Sequence, residues 1–464
     1  MADMTAGARP AADLGQSFGG LGYRSYVLGA LLLAYIFNFI DRVIIAYLSV
    51  PIKAEFDLAN WQFGLLSGIA FATFYTFLGI PIARLAEHFN RTIIIGVSIM
   101  FWSVMTALCG VATSFAMLLI FRLGVGVGEA GLTPPANSLI ADYYKPEKRA
   151  PALAIYSTGI TIGSFCAALF VGFALGIVDW RTTFLIVGLA GIPVGLAIIF
   201  TVKEPPRGFS DPPGTVRPKP PTIGEALGAL SRNASFWYVT LGGTLASFVG
   251  YALVTFTMEF LTKAFAMTVP QAALFFLAPL ALIGAVGTWL CGALAGVFKG
   301  KSALWLPALG LAVATCLHIL ALNLVAGATV VLGILIAANL FQYFYLGPMY
   351  AVSGSVVDAR MRATAIAILL FVVNLIGYGV GPPAAGVVID IFYSANLADV
   401  AGLTAEICRT SETLTASEIG QCQGAELSAI RVGLSMVCLL FSIGSIFFLL
   451  GMKTIDHDLA KLRA

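Results

Sequence analysis

Twelve long apolar runs, separated by short polar intervals, organise this chain. They fall at roughly 26–50, 62–84, 93–115, 117–144, 150–178, 182–202, 236–262, 270–298, 303–325, 328–357, 362–392 and 429–452. Each is long enough to cross a hydrocarbon core of ~30 Å as a helix, and a continuous apolar run of that length lacks the alternation of a barrel strand. Two boundaries carry little polar sequence, near Ser114–Phe115 and near Ala326–Gly327. Without splits there, single runs would be too long to be one span.

Basic residues orient the runs. With both termini in the cytoplasm, nineteen Lys and Arg fall on the cytoplasmic side and five on the other (Lys53, Arg181, Lys263, Arg409 and Arg431). That asymmetry is what the positive-inside rule predicts. The expected organisation is a cytoplasmic segment 1–25, a six-helix bundle 26–202, a Pro-rich cytoplasmic linker 203–235, a second six-helix bundle 236–454 with an outer loop 393–428, and a tail 455–464. The bundles echo each other at an offset of 213 residues. Arg149-Ala150-Pro151-Ala152-Leu153-Ala154-Ile155 matches Arg362-Ala363-Thr364-Ala365-Ile366-Ala367-Ile368, and Pro135 falls on Pro348. Related halves around a central site are a transporter plan. The fold class is therefore an all-α membrane protein of twelve helices in two related bundles.

Composition agrees. The chain has 464 residues, 59% hydrophobic and 11% charged, where a soluble domain carries about 25% charged residues. With 26 basic against 23 acidic side chains, nothing points to nucleic acid. The pattern GxxxxGK[ST] does not occur, so ATP is not expected as the energy source, and three scattered His form no metal site. No cofactor is expected. Gly126-Val127-Gly128-Glu129-Ala130-Gly131 matches a dinucleotide fingerprint, but it lies inside an apolar span and not after a strand; close helix packing is the better reading. Of seven Cys, only Cys408 and Cys422 fall in the outer interval, where oxidising conditions allow a disulfide.

Charges within the membrane are the sharpest signal, because each costs at least ~2.5–3.5 kcal/mol at the bilayer centre. Four stand deep in spans: Asp41 and Arg42 in the first, Arg122 and Glu129 in the fourth. Their formal charges cancel. Arg122 and Glu129 share a helix face about 10 Å apart in height, with Asp41 and Arg42 at intermediate depth if the faces meet. A static ion-pair network that only holds helices together is the bland alternative.

More specific is a resemblance. The six-plus-six plan resembles the major facilitator superfamily, whose loop signature between the second and third spans is present in degraded form as Ala83-Arg84-Leu85-Ala86-Glu87-His88-Phe89-Asn90-Arg91. Asn38-Phe39-Ile40-Asp41-Arg42, with Arg122-Leu123-Gly124-Val125-Gly126-Val127-Gly128-Glu129-Ala130, Pro135 and Ile140-Ala141-Asp142-Tyr143-Tyr144, resembles the spinster subfamily. This implies a proton-linked secondary transporter of sphingolipid- or lysophospholipid-like molecules working by alternating access. Compact loops, and no glycosylation pattern on the outer side, place the expected member in a bacterial inner membrane. A symporter of small organic anions such as sugar acids is the alternative, and a non-transporting receptor or scaffold a more distant one.

Roles follow for particular residues. Asp41 is expected as the principal proton acceptor and Glu129 as the second titrating site. Arg122, which cannot lose its proton, is expected as the switching cation and Arg42 as its local counterpart. Glu87 and Arg91 would belong to a gating loop. At the repeat offset Glu129 falls on Gln342, so Gln342, with Asn339 and Asn374, is expected to contact cargo without titrating. Aromatics crowd the spans near the centre, and Phe37 and Tyr75 are expected to line the cargo site.

Overall fold

The structure, a computed structural model, describes residues 17–211, 223–297, 303–358, 361–398, 400, 402–411 and 413–461. Most of the N-terminal segment, the middle of the linker and the last three residues of the tail lie outside the described residues. Twelve helices among the described residues are long and apolar enough to cross a membrane: Leu21–Tyr47, Asn60–His88, Arg91–Cys109, Phe115–Tyr143, Pro146–Ala174, Trp180–Thr201, Ala234–Phe265, Val269–Ala295, Trp305–Asn323, Ala328–Ser355, Arg362–Leu397 and Ala416–Lys461. They are called the first to the twelfth span below. The chain is thus a multi-pass integral membrane protein.

Side-chain caps start several spans where polar sequence interrupts apolar sequence. Asn90 accepts from the Thr92 and Ile93 amides and opens the third; Ser114 opens the fourth and Asp179 the sixth in the same way. Such caps satisfy amide groups that the helix leaves without a partner. The short split at Ser114 therefore has a chemical basis.

One expectation is revised. The interval 393–428 is not an extended loop: the eleventh span runs on to Leu397, a short helix covers Ala405–Thr410, and the twelfth span begins at Ala416 and continues for 46 residues. Residues 416–428 mix Ala, Glu, Gln and Leu, good helix formers that a hydropathy reading counts as polar. Cys408 and Cys422 are joined in a disulfide, with Cα atoms 5.7 Å apart.

The two halves pack alike. In the first, the third span lies on the sixth, the first on the fifth and the second on the fourth; in the second, the ninth lies on the twelfth, the seventh on the eleventh and the eighth on the tenth. The helix Phe115–Glu129 has 15 residues and stops there, before a second piece begins at Thr133. At the offset of 213, the helix Ala328–Gln342 also has 15 residues and passes through a 3₁₀ turn, Tyr343–Tyr345, before Leu346–Ser355. Thus Glu129 and Gln342 each occupy the last residue before a break at mid-span.

Contact between the halves concentrates at the end opposite the linker, here called the far end. The beginning of the second span packs on the eleventh, the fifth on the eighth, and the first on the seventh. At Gly64 and Gly386 a side chain would run into the backbones of Pro382 and Asn60 respectively, and at Gly68 it would meet the Gly379 carbonyl at 2.6 Å. The halves therefore meet backbone to backbone. Glycine permits that approach at the far end.

Candidate functional site

The first and fourth spans bring the four predicted charges together. Asp41, Arg42, Arg122 and Glu129 are all buried. Arg42 donates to the Glu129 carboxylate through Nη2 at 3.0 Å and Nε at 3.3 Å. Both bonds converge on one carboxylate oxygen, Oε2, and Oε1 is buried without a hydrogen-bond partner. The meeting depends on close packing in the fourth span: a side chain at Gly126 would strike the Phe71 carbonyl at 2.5 Å, and one at Gly128 the Trp102 side chain at 2.6 Å.

Arg122 is placed differently. It donates from Nη1 to the Asp41 main-chain carbonyl at 3.0 Å, and its Nε and Nη2 find no partner. Asp41 enters no ion pair, and its Oδ1 accepts no hydrogen bond. On the third span, Trp102 Nε1 and Thr106 Oγ1 are likewise buried without a hydrogen-bond partner. Burying such groups unpaired is costly, so the cluster is poised and not fully satisfied.

Aromatic rings enclose Arg42. Its guanidinium carbon lies 4.7 Å from the Phe39 ring centre, 4.8 Å from Phe71, 4.7 Å from Tyr75 and 5.8 Å from Tyr378. All are within cation–π range. Phe71 also faces Arg122 at 5.7 Å. Tyr378 belongs to the eleventh span, so the second half reaches this cage. Tyr378 stacks on Tyr251 of the seventh span with centroids 4.1 Å apart. Tyr35, Tyr251, Tyr343 and Tyr350 complete a group of tyrosines in electrostatic reach of one another. Tyr350, nearer the linker end, is 39% exposed, whereas Tyr378 is 3% exposed.

Other predicted residues fall variously. Tyr75 is in the cage. Phe37 is half-buried and takes no part in the ring contacts; Phe39 holds the place expected of it. Positions two apart in a helix, such as 37 and 39, point about 200° apart, so only one of them faces the site. Gln342 is 5% exposed with its Oε1 unpartnered, and its Nε2 lies beside Gly250 of the seventh span. Asn339 turns its amide back to the Leu335 carbonyl at 3.1 Å. Asn374 is half-buried on the π-helical stretch Val373–Val380.

The two residues of the expected gating loop lie in different surroundings. Glu87 is exposed and makes no ion pair, whereas Arg91 is fully buried and bonds Asp142 and Glu204, each at 2.6 Å. Arg91 also donates to Ser138 and the Pro205 carbonyl, and Asp142 accepts from the Gly208 amide. These bonds tie the start of the linker to the first half alone. They do not bridge the halves.

A second ionic site, which the sequence reading left unassigned, lies at the far end. Lys53, on the short helix Ser49–Phe56, bonds Glu259 and Asn60, each at 2.7 Å, and approaches Glu426 at 3.6 Å. Asn60 in turn donates from Nδ2 to Asp390 at 2.8 Å, and Lys263 pairs with Glu426 at 2.5 Å. Lys53 and Asn60 belong to the first half and their acidic partners to the second. In sequence, Lys53 and Lys263 stood out only as two of the five basic residues on the outer side.

Twelve spans in two related halves around a buried charge cluster define a secondary-transporter fold, and the family model of the Major Facilitator Superfamily matches residues 31–392. The chain belongs to that superfamily, and within it to the spinster proteins. A bacterial homologue of the human lysosomal transporter Spinster, solved in an inward-facing, unoccupied conformation, is 37% identical; the match covers 95% of this chain and 99% of that one with a TM-score of 0.86. An MFS-type efflux pump of Mycolicibacterium smegmatis is 28% identical over 373 residues, 78% of this chain and 84% of that protein. The sphingosine-1-phosphate transporter SPNS2 of Danio rerio is 27% identical over 246 residues, 51% of this chain and 47% of that protein. That last match spans about half of each chain.

Proposed function

We propose that the protein is a proton-coupled secondary transporter of amphipathic, lipid-like molecules with an anionic head, of the sphingolipid or lysophospholipid class. It would sit in a bacterial inner membrane with both termini and the linker in the cytoplasm. One observation carries this reading: a buried cluster of two acids and two arginines in which Arg42 is paired, ringed by aromatics, and Asp41 is not paired at all. Because arginine stays charged, only the acids can exchange protons. Protonation of Glu129 releases Arg42, which then needs another anion. A cargo headgroup supplies one, and tyrosine rings, apolar at the face and polar at the edge, suit the adjoining chain. Relatedness to a sphingosine-1-phosphate transporter supports the class of cargo.

We further propose that the two cations exchange the roles expected of them. Arg42, facing rings from both halves, is the switching cation, and Arg122, held on the Asp41 carbonyl within the first half, fixes the backbone beside the proton acceptor. Asp41 is the principal proton acceptor and Glu129 the second titrating group. Gln342, Asn339, Asn374 and Tyr75 contact cargo. Closure at the far end is what an inward-facing state in alternating access requires.

The test is flux into proteoliposomes under an imposed proton gradient. A fluorescent lysophospholipid or sphingoid phosphate should accumulate against its gradient, and Asp41→Asn should abolish accumulation while the protein remains folded. Accumulation of a sugar acid instead would favour transport of small organic anions. Undiminished accumulation by Asp41→Asn would show Asp41 to be structural.

A further inference from the structure

Of the four rings around Arg42, three belong to the first half (Phe39, Phe71 and Tyr75) and Tyr378 to the second. We propose that Tyr378 is the positioning residue through which the partner state of Arg42 is communicated to the second half. This rests on the proton-coupled reading above and adds to it the contact by which the coupling crosses between the halves.

Three observations support the assignment. Tyr378 sits on the π-helical stretch Val373–Val380, a winding that occurs mostly as local distortion and often at functional sites. That stretch is wedged between the halves on residues without side chains. A side chain at Gly379 would stand 3.2 Å from Ala72 of the second span, and one at Gly377 would stand 2.7 Å from Ser247 of the seventh. Tyr378 also has ring neighbours in both halves: Phe71 at 5.3 Å on one side and Tyr251 at 4.1 Å on the other. A displacement of Arg42 thus alters a stack that continues into the seventh span.

The ring, and not the hydroxyl, carries the effect. The Tyr378 hydroxyl is buried with no hydrogen-bond partner, whereas the ring face meets the guanidinium. When Glu129 holds Arg42, the cation stays in the cage and favours the closed far end. When Glu129 is protonated or cargo captures Arg42, the guanidinium moves relative to Tyr378 and that preference weakens. A ligand shifts such an equilibrium only through its different affinities for the two states, and here the difference is a cation–π contact that exists only with the halves together. The titratable groups around Arg42 are Glu129 on the fourth span, Tyr75 on the second, Tyr35 on the first, Tyr156 on the fifth, Tyr251 on the seventh and Tyr378 on the eleventh, with Asp41 next to it in the chain and Arg122 held on the Asp41 carbonyl. Glu129 and Asp41 are the acids of this set.

The experiment follows opening of the far end without cargo. Spin labels attached by a non-cysteine chemistry at Ile177 and Val325, exposed far-end residues of the two halves, leave the Cys408–Cys422 disulfide intact. In the wild type, acidification should change the ratio of closed to open distances. Tyr378→Phe should respond as the wild type does. Tyr378→Leu should lose about tenfold of that pH-driven change in ratio, as expected for removal of a desolvated cation–π contact. Tyr251→Leu, which removes the ring stacked behind Tyr378, should lose less in the same direction and serves if the first variant misfolds. A full response from both leucine variants would overturn the proposal and leave proton coupling standing. A wild type that does not respond to pH would overturn both.

Discussion

The fourth and tenth spans are one element built twice. Each opens with a 15-residue helix, each breaks at mid-membrane, and the residues at the break are 213 positions apart. Yet the fourth carries Arg122 and Glu129 where the tenth carries Leu335 and Gln342. The first and seventh spans differ likewise, Asp41 and Arg42 standing opposite Val254 and Thr255. Backbone geometry has been retained in both halves while charge has been kept in one. A span does not need the charges in order to break at mid-membrane, so their cost in the first half requires another explanation, which the proton-linked work proposed above would supply. The second half still contributes rings and amides, and three of its acids, Glu259, Asp390 and Glu426, lie at the far end, where they hold the first half through Lys53 and Asn60.

The contrast can be broken most sharply by removing charge where it is paired. Arg42→Ala leaves Glu129 buried without its partner and should lower stability by about 3–5 kcal/mol. Its counterpart Thr255→Ala removes only a bond from the Thr255 hydroxyl to the Tyr251 carbonyl and should change stability by roughly 0.5 kcal/mol. Thermal unfolding in detergent compares the two. Conversely, Gln342→Glu gives the tenth span the charge of the fourth without an arginine to match it. It should cost about 2.5–3.5 kcal/mol when the acid is ionised and less at low pH, so its melting temperature should rise on acidification relative to wild type. An unchanged difference across pH would mean that the two breaks are not equivalent environments.

A smaller effect is expected at the far end. Lys53→Met removes hydrogen bonds to Glu259 and Asn60, should destabilise far-end closure by about 2 kcal/mol, and should make Ile177 and Val325 separate more often in distance measurements. Smallest is Gln342→Ala. It should weaken transport about fivefold, one hydrogen bond's worth, with no change in the pH profile. A shifted profile would assign Gln342 a part in proton transfer.

Much of the molecule was legible in sequence for plain reasons. Apolar runs of twenty residues have few options in lipid, and polar caps such as Asn90 and Ser114 mark where they start. The buried charges announced themselves by their cost, and helix rise alone set Arg42 and Glu129 at compatible depths. What could not be read was choice among equals. Helical depth does not say which arginine Glu129 prefers, and Arg42, not Arg122, holds it. With 33 Phe and 15 Tyr in the chain, nothing singled out Tyr378 or Tyr251, or chose Phe39 over Phe37. The Lys53–Glu259 pair joins residues 206 positions apart, each an ordinary charge near a helix end. Arg91 belonged to a recognisable loop, but its partners Asp142 and Glu204 came from the fourth span and the linker.

Closure at the far end rests on missing atoms. At Gly64 and Gly386 there is no space even for a methyl group while the halves are together. One bulky substitution there, such as Gly64→Trp, acts as a doorstop: it leaves each half intact and forbids only their union. A state open to the far side, as the proposed alternating access requires, should thereby become obtainable by design with a single codon change, without ligand, antibody or cross-link.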